Sequence, residues 1–296
     1  WTTPGALALG AIVGAGLAAC GMALNDALDA RHDRAFAPER PIPAGRVSQR
    51  AAVAVALGSL LAALAAAALL GTASTLVTLL AAGLIVFYNF AGRFMPAVGI
   101  VALGLVQGLM LAIPNPQLSL AWPLVLSMTH LMACEAGRYH LAGKRPRLTG
   151  RDGGWLLAGW MFWTLAVVGL MSARGGLVID SGAVAGGAGL WIGPLIAVVL
   201  FVALVRLVVD RQAQAGLARR VRAGTIGRLG MLWLIVYDAA WLLSAGLWWQ
   251  GLMVAALLGV ALAMIRLQQW VVVAAVSPTG YRVRPHAPAE PPAPSV

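Results

Sequence analysis

The segment Asn25-Asp26-Ala27-Leu28-Asp29-Ala30-Arg31-His32-Asp33 places an amide and three carboxylates at the end of a long apolar stretch, and Arg40-Pro41-Ile42-Pro43-Ala44-Gly45-Arg46 follows closely. The chain holds only ten Asp and Glu in 296 residues, so acid is concentrated here. Asp26, Asp29 and Asp33 stand at i, i+3 and i+7, a spacing that puts them on one face of a helix. Carboxylates gathered in this way repel one another unless a cation sits among them. Hard oxygen ligands of this kind suit a divalent ion such as Mg²⁺. The competing reading is a polar helix end solvated at a membrane surface, which needs neither the Asn nor the spacing.

Two further polar clusters end apolar stretches. One is Tyr88-Asn89-Phe90-Ala91-Gly92-Arg93, and the other is Glu135-Ala136-Gly137-Arg138-Tyr139-His140 with the basic run Lys144-Arg145-Pro146-Arg147 after it. Binding of a metal-bridged diphosphate requires this combination. Carboxylates hold the ion, and Arg or Lys neutralises the phosphate oxygens that the ion leaves exposed.

The elements that position these clusters are membrane helices. A hydrophobic share of 60%, a charged share of 10% and a mean hydropathy of +0.85 exclude an ordinary soluble domain. Nine apolar stretches are long enough, at about 18 residues or more, to cross a bilayer as helices. They run over 3–24, 51–70, 75–92, 96–113, 118–134, 154–172, 188–209, 226–248 and 251–275. Short separations, as around Gly71 to Ser74, make neighbouring spans antiparallel. The expected fold is an all-α, polytopic membrane bundle of about nine transmembrane helices over residues 1–276. A Pro- and Ala-rich tail over 277–296 is expected to be disordered.

The net charge of +11 suggests nucleic acid until its distribution is read. If the first helix runs toward the cytoplasm, the loops around 25–50, Arg93, 137–153 and 210–225 hold nearly all the Arg and Lys of the connections, and the opposite loops hold only Arg174. That is the positive-inside pattern. It argues against a nucleic-acid partner, makes the bilayer the partner, and puts all three polar clusters on the cytoplasmic side of what reads as a bacterial inner membrane. Cys20 and Cys134 lie within apolar helices, which argues against a structural disulfide.

At these residues the chain resembles the UbiA superfamily of intramembrane prenyltransferases. NDxxDxxxD at Asn25, Asp26, Asp29 and Asp33, then RPxPxG at Arg40, Pro41, Pro43 and Gly45, is similar to that family's first signature. Tyr88 and Arg93 resemble its Tyr-rich segment, with Gly92-Arg93 where a Lys-Arg pair is usual. The resemblance spans residue 1 to about residue 247 and begins at the family's second helix, which implies that the first lies upstream. It implies a UbiA-like bundle that transfers a prenyl group from a Mg²⁺-bound prenyl diphosphate to a small lipophilic or aromatic acceptor. On this reading Asp26, Asp29 and Asp33 are catalytic and, with Glu135, ligate the metal. Asn25, Arg40, Tyr88, Arg93, Arg138 and Lys144 bind substrate.

One departure stands out. Where the family carries a second aspartate motif, this chain has Glu135, then Tyr139 four residues later, with Arg138 and His140 beside them. In this the chain resembles a divergent subgroup that includes the proteins called EboC in bacterial gene clusters. The erosion also opens a different function, a non-catalytic isoprenoid or small-molecule binding or transport protein on the same scaffold. Glu135 is either a metal ligand or the i,i+3 partner of Arg138. Asp238 is an acid deep in an apolar segment, where a functional role and a hydrogen bond to a neighbouring helix compete. The tryptophans, among them Trp155, Trp160, Trp191, Trp241, Trp248 and Trp249, mostly sit near predicted helix ends and read as interface anchors.

Overall fold

A computed structural model describes residues 4–114, 116–117, 121–144, 146–174 and 189–276, the last six of them by backbone alone. The expected tail over 277–296 lies outside them. Among the described residues there are nine α-helices and no strand: α1 (Pro4–Phe36), α2 (Gln49–Leu70), α3 (Thr72–Phe90), α4 (Pro96–Ala112), α5 (Ala121–Ala142), α6 (Gly150–Ala173), α7 (Gly189–Gln214), α8 (Arg219–Ser244) and α9 (Trp248–Val276). A 3₁₀ turn at Gly92–Phe94 joins α3 to α4. Seven of the helices are long and apolar enough to cross a membrane. The other two are α4, with 17 residues, and α5, whose 22 residues include His130, Glu135 and Arg138. The protein is an integral membrane protein.

The helices run past the apolar stretches. α1 continues from Leu24 to Phe36, so the three aspartates ride on a helical extension, and α5 continues from Cys134 to Ala142. Local chemistry marks the starts of several helices. Ser48 Oγ accepts from the Ala51 amide at the start of α2, Pro96 opens α4, and Thr149 with Asp152 forms a reciprocal capping box at α6.

Between membrane helices the lipid is as apolar as the side chains, so close packing rather than water exclusion holds them together. α1 and α2 make the most extensive contact in the molecule. Gly16 permits it, because a Cβ there would lie 2.7 Å from the Ser59 carbonyl oxygen and 2.9 Å from Ala63 Cβ. Leu17 and Val13 of α1, Ala63 and Ala67 of α2, and Ala81 of α3 are almost fully enclosed in the resulting core. α5 is the polar spine on the other side, packed against α4, α6 and α8. α6 and α9 are only 6% buried along their apolar windows, which makes them the lipid-facing rim.

Interface anchoring describes only some of the tryptophans. Trp155, Trp248 and Trp249 are exposed, but Trp241 is buried. Trp122, Trp191 and Trp241 pack edge to face in a chain that ties α5, α7 and α8. Trp160 Nε1 donates to Thr129 Oγ1 at 2.7 Å, joining α6 to α5.

Candidate functional site

On the α1 extension, Asp26, Asp29 and Asp33 share one face and each meets an arginine. Arg40 donates to Asp33 Oδ2 at 2.8 Å and lies 3.9 Å from Asp26 Oδ1. The loop that carries Arg40 curls on itself to bring it there. The Ala44 amide donates to the Arg40 carbonyl and the Arg46 amide to the Pro41 carbonyl, both at 2.9 Å, with Gly45 at φ 73°. Asn25 Nδ2 donates to Asp29 Oδ2 at 3.2 Å, and Gln49 of α2 donates to the Ala27 carbonyl at 2.9 Å. Asp33 is buried, whereas the Asp26 side chain is 53% exposed and leads the face toward water.

The turn after α3 supplies the opposite wall. Arg93 is ion-paired with Asp29 and lies over the Phe94 ring, 4.9 Å from its centroid. The turn is clamped against α4, where a Cβ at Gly99 would lie 2.4 Å from the Gly92 carbonyl oxygen. Two polar atoms here are buried without a partner, Arg93 Nε and Asn89 Oδ1, while Asn89 Nδ2 donates to the Ile85 carbonyl.

Tyr88 lies between this wall and α5 in electrostatic terms, its phenol within range of Glu135, Arg138, Tyr139 and Arg93. Glu135 is nearly buried and ion-paired with Arg138 one turn later. Helix α5 ends at Gly143, φ 61°, and the chain turns back with the Lys144 amide donating to the Tyr139 carbonyl at 3.3 Å. This places Lys144 Nζ over the Tyr139 ring, 5.5 Å from its centroid. Much of the Lys144 residue is exposed. Desolvation, then Arg138, nevertheless hold its ammonium below the ordinary lysine range, with Glu135 opposing. His140 is exposed, outside this arrangement.

The three clusters therefore meet at one end of the bundle. The sequence model of the UbiA prenyltransferase family matches residues 1–144, the part that carries all three. Over these residues the chain carries the sequence pattern of the UbiA prenyltransferase family. The UbiA homologue of Aeropyrum pernix K1 is similar in fold at a TM-score of 0.53, with 23% identity over 81% of this chain and 90% of that one. A digeranylgeranylglyceryl phosphate synthase structure matches at a TM-score of 0.48, with 16% identity over 80% of this chain and 84% of that one. No curated protein sequence matches at significance.

The UbiA family implies Mg²⁺, and the donor set decides how it could be held. Mg²⁺ keeps several waters and is bound by one or two carboxylates together with substrate phosphates rather than by an all-protein cage. Among the described residues no three His, Cys, Asp or Glu side chains converge on one point. Asp26 and Asp29, one turn apart with Asn25 beside them, fit an ion shared with a diphosphate. They do not fit a resident ion.

Reading the UbiA-like sequence missed the seam behind α5. His130 is buried, Tyr237 of α8 donates its hydroxyl to Nδ1 at 3.1 Å, and Nε2 therefore donates to the Gly230 carbonyl at 3.0 Å. A histidine in an apolar stretch was the available signal. Asp238, next to Tyr237, makes no hydrogen bond or ion pair among the described residues, so the expected bond to a neighbouring helix is not formed.

Proposed function

We propose that this protein is an intramembrane prenyltransferase that takes a prenyl diphosphate with Mg²⁺ at the polar end of α1, α3 and α5 and transfers the prenyl group to a small lipophilic or aromatic acceptor. The observation that carries this reading is the Arg93–Asp29 ion pair between α1 and the turn after α3, with the Glu135–Arg138 pair of α5 within electrostatic range of Tyr88. Asp26 and Asp29, with Asp33 behind them, would hold Mg²⁺ jointly with the diphosphate. When bound, the ion supplies charge stabilisation to the leaving diphosphate.

Arg93, Arg138 and Lys144 neutralise the remaining phosphate oxygens, and Arg40 holds Asp33 while offsetting charge at Asp26. The prenyl C1–O bond breaks with its electron pair leaving on the diphosphate. An electron-rich acceptor forms the new bond to C1 and releases its proton to solvent. Tyr88 and the enclosed wall around Asn89 keep water from the allylic cation, which water would otherwise capture. The cationic surplus of the loops supports the reading that this end faces the cytoplasm, in a bacterial inner membrane.

The experiment incubates membranes containing the full chain with labelled prenyl diphosphate and a panel of lipophilic and aromatic acceptors, and measures diphosphate release. Acceptor-dependent release supports transfer. Binding without release under every acceptor leaves the non-catalytic binder instead.

A further inference from the structure

We infer that the α5 side of the site grips the diphosphate through Arg138 and Lys144 with no metal of its own, so that one divalent ion, on the α1 carboxylates, serves each chain. This rests on the diphosphate-binding reading above and concerns how that site is divided.

Glu135 is the only carboxylate of α5, and it is nearly buried and committed to Arg138 within its own helix. The next carboxylate along the chain, Asp152, is occupied in the α6 capping box, accepting from both the amide and the hydroxyl of Thr149 at 2.8 and 2.6 Å. Four residues after Glu135, where a second acid would complete a pair, Tyr139 donates its hydroxyl to the Pro146 carbonyl at 2.8 Å. Its ring is the platform under Lys144. A hard divalent ion finds a single, already paired oxygen donor group here.

Arg138 instead has a built seat. A Cβ on Gly227 of α8 would lie 2.9 Å from both Cδ and Nε of Arg138 and 3.1 Å from Cζ, so the side chain lies flat against bare helix backbone. One turn along α8, a Cβ on Gly230 would meet Cys134 Sγ at 2.7 Å. The two glycines form a notch that receives α5 and fixes the guanidinium. A cation held in this way loses little rotamer freedom when it binds an anion.

Charge divides the site in the same sense. On the α1 side, Asp26, Asp29 and Asp33 face Arg40 and Arg93, an excess of one negative charge. On the α5 side, Glu135 faces Arg138 and Lys144, an excess of one positive charge. A divalent cation is drawn to the first and phosphate oxygens to the second.

The test is a titration of the purified full chain with Mn²⁺ and inorganic diphosphate, followed by electron paramagnetic resonance for bound Mn²⁺. The expected result is one Mn²⁺ per chain, unchanged in number and affinity in Glu135→Gln. Arg138→Gln should weaken diphosphate about 10- to 100-fold, as loss of a charge-assisted contact does, while one Mn²⁺ is still retained at saturating diphosphate. Gly227→Leu should weaken diphosphate in the same direction by displacing the guanidinium. Two Mn²⁺ in the wild type falling to one in Glu135→Gln would overturn the inference, as would undiminished diphosphate affinity in Arg138→Gln. If Arg138→Gln fails to fold, the wild-type count and Glu135→Gln decide. No Mn²⁺ retained by the wild type with diphosphate present contradicts the diphosphate reading itself.

Discussion

Arg93, on the turn after α3, is ion-paired with Asp29 on α1 across 64 residues of sequence, and its Nε is buried without a partner. The pair joins the carboxylate face to the turn after α3, where Asn89 Oδ1 is likewise buried without a partner. Under the proposed function the same arginine holds Asp29 in the free protein and contacts phosphate in the loaded one.

Arg93→Gln should therefore weaken prenyl diphosphate binding about 10- to 100-fold, measured by calorimetry with Mg²⁺ present. Asp29→Asn added to it should cost less than Asp29→Asn alone, because residues in contact couple by about 0.5–3 kcal/mol. Additive losses would mean that the pair does not act as a unit.

Gly16→Leu should lower thermal stability by about 1–3 kcal/mol, the usual cost of overpacking. The α2 backbone occupies the space that its side chain would need. Gly14→Leu is the control, since a Cβ there meets nothing within 4 Å. Unfolding curves in one detergent compare the two, and equal midpoints would contradict the α1–α2 packing described.

What the sequence makes legible here follows from the range of each interaction. The apolar stretches and the one-face spacing of Asp26, Asp29 and Asp33 are local: the stretches lie on helices, seven of them long and apolar enough to cross a membrane, and the three aspartates share the α1 extension. The Glu135–Arg138 pair was one of two readings available from its i,i+3 spacing, and it forms. The lengths of α1 and α5 were underestimated, because hydropathy marks where lipid ends and helix continues beyond it. Arg93–Asp29 and the seating of Arg138 on Gly227 were hidden because each depends on which helix stands opposite. Trp241 was misread for the same reason, since burial against α7 cannot be seen along α8 alone.

His130→Ala should destabilise the protein by about 1–3 kcal/mol, because the Gly230 carbonyl and Tyr237 hydroxyl both lose a buried partner. Tyr237→Phe removes one bond and should cost about 1 kcal/mol. Chemical denaturation in detergent checks the order, and a larger loss in Tyr237→Phe would refute it.

Lys144 sets an alkaline limit. Desolvation first, then Arg138, lower its value, so the charge is lost as pH rises sooner than for a free lysine. Diphosphate affinity should fall with it below the ordinary lysine range. Lys144→Arg should hold affinity level over that interval, and an identical fall in both proteins would remove Lys144 from the site.

The carboxylate face is the centre of the account, and equilibrium binding of a labelled prenyl diphosphate to the purified chain, with and without Mg²⁺, tests it most directly. The wild type should bind only with Mg²⁺, and Asp26→Ala and Asp29→Ala should each abolish the Mg²⁺-dependent component. Unchanged affinity in both variants would contradict it.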